Sequence, residues 1–163
     1  MLIAQLSDIH VGGSRYDEQL LHKAIDEVNE ARPDAVVVAG DLTGDGYDEE
    51  FRGAKQALDR IECGRVVLVP GNHDARNVGY LRFEEYFGER YSQYRFACDG
   101  LDVALVAADS SEPDIDEGEI GRDRYEFLTQ GFAGEADLRI LVIHHHLVAV
   151  PGKIGRASCR ERV

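Results

Sequence analysis

The chain has 163 residues, 44% of them hydrophobic and 30% charged, so it suits one domain with a substantial core and is too apolar for wholesale disorder. With 31 acidic against 18 basic residues the net charge is −13. That excludes a broad electrostatic footprint for nucleic acid or an anionic membrane, although bound cations can reverse the sign locally and admit a phosphate.

Leu2 to Ser7 reads as a strand rather than a secretory leader, because no basic residue precedes it and Asp8 follows at once. Tyr16 to Ala31 carries Leu20, Leu21, Ala24, Ile25 and Val28 at helical spacing and stops at Arg32-Pro33-Asp34. Ala35 to Ala39 is apolar throughout, the pattern of a strand buried on both faces. Asp48 to Ile61 is helical, with Phe51, Ala54, Ala57, Leu58 and Ile61 on one side, and Val66 to Val69 is the next buried strand. A helix is expected near Tyr80 to Phe87, then a hairpin of Tyr94 to Cys98 and Leu101 to Ala107 around Asp99-Gly100. Ser110 to Gly121 is an acidic loop. Its part from Glu112 to Glu119 is expected to be exposed and mobile, near the mouth of a site but not a source of ligands. A short helix over Tyr125 to Gln130 and a buried strand over Arg139 to Ile143 follow. The alternation specifies an α/β fold whose first sheet is largely parallel.

Residues 154–163, IGRASCRERV, break the acidic character with Arg156, Arg160 and Arg162 and have no periodicity. They match one reading frame of a common sequencing-adapter DNA. The expected domain is therefore 1–153, with 154–163 a non-native tail and the C-terminal part of the natural domain missing. Cys63, Cys98 and Cys159 form no Cys-x-x-Cys pair, as in a reduced, cytoplasmic protein. No apolar run approaches the roughly 18 residues of a membrane span.

The polar residues of interest each follow an expected strand: Asp8 and His10, then Gly40-Asp41, then Gly71-Asn72-His73-Asp74, then His144-His145-His146. Ligands of open α/β sheets bind at the carboxyl ends of strands, so these loops converge. Asp8 and His10, two apart in extended backbone, would project to one side. Asp41 is placed to bridge two cations, Asn72 offers an amide oxygen and His144 an imidazole. Oxygen and nitrogen donors without thiolate suit Mn, Fe, Zn, Co or Ni.

The segments SDIH (Ser7 to His10), GDLTGDG (Gly40 to Gly46), GNHD (Gly71 to Asp74) and HHH (His144 to His146) resemble those of the calcineurin-like metallophosphoesterases. The opening QLSDIHVGG is most similar to the branch that includes bacterial class III cyclic-nucleotide phosphodiesterases. The resemblance implies an α/β/β/α sandwich of two mixed β-sheets and a dinuclear centre of two divalent transition-metal ions. Asp8 and His10 would hold the first ion, Asp41 both, and Asn72 and His144 the second, with His145 the alternative to His144. His73 would contact the phosphate and assist the leaving group, with Asp45 or Asp74 orienting it. A hydroxide shared by the ions would hydrolyse a phosphodiester or phosphomonoester, a cyclic nucleotide among the candidates. The partner implied is a small phosphorylated substrate, with no standing nucleic acid and no membrane. A nuclease, a nucleotide or phospholipid pyrophosphatase, and an inert or scaffolding fragment stay open as alternatives. The family's late Gly-His-x-His is absent from this sequence, whose sixth histidine, His22, falls inside the first helix and is expected at the surface.

Overall fold

The computed structural model describes residues 1–148; the expected boundary at 153, the tail 154–163 and Cys159 lie outside them. Strand β2 (Ala35–Ala39) is buried at all positions, which only a central strand covered on both faces allows. Strands β1 (Ile3–Leu6) and β3 (Val66–Val69) flank it in the order β1-β2-β3, all parallel, with Val37 opposite Gln5 and Val67.

The crossovers are helices α1 (Glu18–Ala31) and α2 (Asp48–Leu58). Together with α3 (Gly79–Phe87) they cover one face. There Val36 and Val38 meet Leu21, Ile25, Phe51, Ala54 and Phe83. Each such large side chain contributes about 1.5–3 kcal/mol by leaving water. The alternate residues Val37 and Ala39 point the other way, as the pleat requires. They pack with Val67 and Val69 against Leu105, Ala107 and Val142 of a second sheet.

That sheet is mixed. Strand β4 (Ser92–Cys98) runs antiparallel to β5 (Leu101–Ala107), and β6 (Leu138–Val142) runs parallel to β5. Helix α4 (Tyr125–Gly131) covers the outer face, so closely that a Cβ on Gly131 would fall 2.5 Å from Val106 Cγ2. The layers are α/β/β/α.

Local chemistry sets the element ends. The Asp17 carboxylate accepts the N–H groups of Gln19 and Leu20, so α1 starts at Glu18 rather than Tyr16. Helix α2 closes at Leu58 because Arg60 and Ile61 donate three residues back, to Ala57 and Leu58. Asp99 and Gly100, both with positive φ, make the tight hairpin that their residue types predict. Strand β6 departs from expectation. Only Val142 is buried and Arg139 is exposed, because β6 is the edge of its sheet among the described residues. Arg139 donates to the carbonyls of Phe132, Gly134 and Ala136.

Candidate metal centre

The loops after β1 and β2 prolong the parallel ladder beyond the strands. Asp8 N–H donates to Gly40 O at 3.1 Å, His10 N–H to Asp41 O at 2.9 Å and Val11 N–H to Leu42 O at 2.9 Å. The backbone there is not extended, contrary to the expectation for Asp-x-His. Asp8, His10 and Asp41 have φ of 55°, 53° and 55°, a left-handed conformation that costs about 1–2 kcal/mol per residue. The ladder bonds hold them in it. Asp8 and His10 still approach, with His10 Nε2 3.9 Å from Asp8 Oδ1. Gly40 lets the second sheet close in, since a Cβ there would lie 2.7 Å from His144 Nδ1.

Asp41, 4% exposed, is the hub. Its Oδ2 stands 3.5 Å from His10 Nε2 and 3.4 Å from His144 Nε2, and its Oδ1 accepts the His73 N–H at 2.9 Å. Donor atoms form two clusters that share this carboxylate, His10–Asp41–His73 and Asp8–Asp41–His144. The pair that the resemblance implies, Asp8 and His10, stands at 3.9 Å, with one member in each cluster. His10 also meets His73, ring edge to face, at 4.5 Å between centroids.

Of the three histidines after β6, His144 is the one at the carboxylates. Its Nδ1 bonds the Ala39 carbonyl at 2.8 Å, which turns Nε2 to Asp41. His145 turns away: its Nδ1 pairs with Ser110 Oγ at 2.8 Å, and its Nε2 is buried without a partner. His146 is exposed. Burial lowers the His144 pKa, but the Asp41 carboxylate outweighs it and raises the ring to about 9. Burial raises the Asp41 carboxyl, yet His144 and the His73 N–H hold it below the ordinary carboxylate range. Burial and the neighbouring His144 lower His145 to about 4. The pocket therefore favours positive charge at His144 Nε2, and the donors are carboxylate oxygen and imidazole nitrogen. Both features fit divalent transition-metal ions.

The remaining expected residues have these partners. Asn72 is buried, and its Nδ2 donates to Asp116 Oδ1 at 3.2 Å. His73 Nδ1 lies against the Gly44 carbonyl and 3.0 Å from Arg76 Nη1. The two carboxylates named as candidates to orient His73 are bonded elsewhere. Asp74, fully buried, accepts from the N–H groups of Leu42, Thr43 and Gly71 and from the Thr43 hydroxyl. Burial pushes it up to about 6 in spite of those four donors. Asp45 accepts from Arg76 Nη1 at 3.0 Å and so reaches His73 only through that guanidinium. His22 is half-buried on α1, 4.0 Å from Glu18.

Reading the sequence alone missed Arg76 and Asp116. The acid loop is not simply exposed, because charge pairing and a glycine contact tie it down. Asp114 accepts from Asn77 N–H at 3.0 Å, Asp116 from Arg76 Nη2 at 2.8 Å, and buried Gly118 lies against the His145 ring. Among the described residues, none of its carboxylates joins a metal-ligating cluster.

The chain belongs to the calcineurin-like phosphoesterase family, whose model matches residues 1–160. It is 28% identical to the probable glycerophosphodiester phosphodiesterase GpdQ of Arcobacter nitrofigilis, over 95% of this chain and 59% of that protein. It is 30% identical to glycerophosphodiester phosphodiesterase GpdQ of Enterobacter lignolyticus, over 90% and 56%. A probable cyclic nucleotide phosphodiesterase of Rhodococcus erythropolis is also 30% identical, over 88% and 51%. The chain thus spans little more than half the length of these relatives. The crystal structure of TT1561 of Thermus thermophilus shares the fold at 15% identity and a TM-score of 0.55, covering 97% of this chain and 74% of that one. Among the described residues, no helix is long and apolar enough to cross a membrane.

Proposed function

We propose that this chain carries the metal-binding half of a phosphodiester hydrolase that acts on a small substrate, a glycerophosphodiester or a cyclic nucleotide. The observation that carries the reading is Asp41, one buried carboxylate shared by two clusters of metal-ligating side chains. Two divalent ions from among Mn, Fe, Zn, Co and Ni, when bound there, supply Lewis acidity towards phosphoryl oxygens and lower the pKa of water to near neutrality. Asp8, His10, Asp41, Asn72 and His144 hold them. His73 contacts the phosphoryl group and gives a proton to the departing alkoxide. The Gly44 carbonyl accepts from its Nδ1–H and fixes the ring. Asp74 keeps the Asp41 and Asn72 loops in register through bonds to Leu42, Thr43 and Gly71.

The names of the relatives support a diester over a monoester, and the net charge of −13 disfavours long nucleic acid and anionic membranes as partners. The unpaired thiols of Cys63 and Cys98 support a reducing, cytoplasmic location. The test is hydrolysis of an aryl phosphodiester and of the matching monoester with Mn²⁺ and with chelator, in the wild type and in His73→Ala. Diester cleavage that needs Mn²⁺ and is lost in the variant is expected. Mn²⁺ bound without cleavage of either ester would point to a scaffold that kept the site.

A further inference from the structure

Arg76 joins three loops that carry the site. From the loop after β3, its Nη1 lies 3.0 Å from His73 Nδ1 and donates to Asp45, which follows β2. Its Nη2 donates to Asp116, which follows β5, at 2.8 Å. The oxygen of Asp116 that receives this bond, Oδ1, also accepts from Asn72 Nδ2. Arg76 is 27% exposed, and each of its terminal nitrogens donates to a carboxylate. Asn72 has two chemically different ends, and only Oδ1 can bind a cation. Whatever holds Nδ2 decides which end is offered.

We propose that Arg76 and Asp116 are a positioning pair for the metal centre. Asp116 holds the Asn72 amide by its nitrogen so that its oxygen is presented to a divalent cation. Arg76 anchors Asp116 and ties it to Asp45 with the same guanidinium. This rests on Asn72 being a cation ligand, as proposed above. The acid loop, which contributes no ligand cluster of its own, then acts on the metal from outside. Partners of this kind typically govern about 10–100-fold in metal affinity.

The test is Mn²⁺ affinity by calorimetry on the whole chain, with urea stability in chelator measured alongside. The variants are Asn72→Ala, Asp116→Ala, Asp116→Asn, Arg76→Ala and the double variant Asn72→Ala/Asp116→Ala. Asp116→Ala should weaken Mn²⁺ about tenfold. Asp116→Asn, which loses the charge but keeps an accepting oxygen, should restore most of that. Arg76→Ala should shift affinity in the same direction as Asp116→Ala. The double variant should bind as Asn72→Ala does, because Asp116 has no amide left to position. An equal loss from Asp116→Ala with and without Asn72 would overturn the proposal, as would a loss in Asp116→Asn as large as in Asp116→Ala. If Asn72→Ala weakens Mn²⁺ and Asp116→Ala does not, the pair fails while the reading of the site stands. If Asn72→Ala has no effect, both fail.

Discussion

The centre has two halves built by different means. On the first sheet, Asp8, His10 and Asp41 sit in loops joined by main-chain bonds, and the buried Asp74 carboxylate ties the loop of His73 to them through the N–H groups of Leu42 and Thr43. On the second sheet, the acid loop and the histidine run reach the centre through side chains: His144 to the Ala39 carbonyl, and Asp116 to Asn72 and Arg76. A parallel ladder that runs past its strands fixes several residues at once. A side-chain contact fixes one residue and can be removed one at a time.

Asp74→Ala should therefore have the largest effect. It leaves three backbone N–H groups and the Thr43 hydroxyl without their acceptor in a buried place. We expect a loss of about 4 kcal/mol in urea unfolding, together with loss of Mn²⁺ binding. A loss under about 1 kcal/mol would show that the ladder alone carries the first half.

The His144 ring at the seam comes next. Its folded pKa is raised from 6.5 to about 9, so its contribution is complete below pH 6.5 and lost as pH rises through about 9. Metal-free protein should lose roughly 3 kcal/mol across that window. His144→Ala should abolish the slope, and saturating Mn²⁺ should flatten it, since a cation at Nε2 replaces the proton. A slope unchanged in the variant would place the titration elsewhere.

Gly118→Ala tests the second half alone. The added carbon would lie 2.2 Å from His145 Cγ, and relieving that overlap should cost about 2 kcal/mol. Urea unfolding reads the loss. Mn²⁺ affinity should fall with it, because the strain moves the loop that holds Asp116.

Gly100→Ala should do least. Gly100 has φ of 79° and nothing within 4 Å of a new Cβ, so only backbone strain of about 1 kcal/mol is added. Mn²⁺ affinity should stay as in the wild type, since the hairpin tip lies at the end of β5 away from the centre.

The amino-acid sequence by itself determined the strand–helix alternation, the two-face burial of β2, the Asp99-Gly100 hairpin and the set of strand-end residues. Each depends on neighbours a few positions apart, where periodicity and turn chemistry act directly. The sequence also sufficed for the family resemblance, because SDIH, GDLTGDG and GNHD are short and local. Only the tertiary structure decided the rest. The left-handed turns at Asp8 and His10 depend on bonds to a loop some thirty residues on. The choice of His144 over His145 depends on which ring reaches the Ala39 carbonyl, 105 residues away. The edge position of β6 follows from strand order. Asp116, one acid among several in an irregular loop, acquires a role only because folding sets it beside Arg76 and Asn72. No pattern in a chain records a contact between loops that only the packing of two sheets brings together.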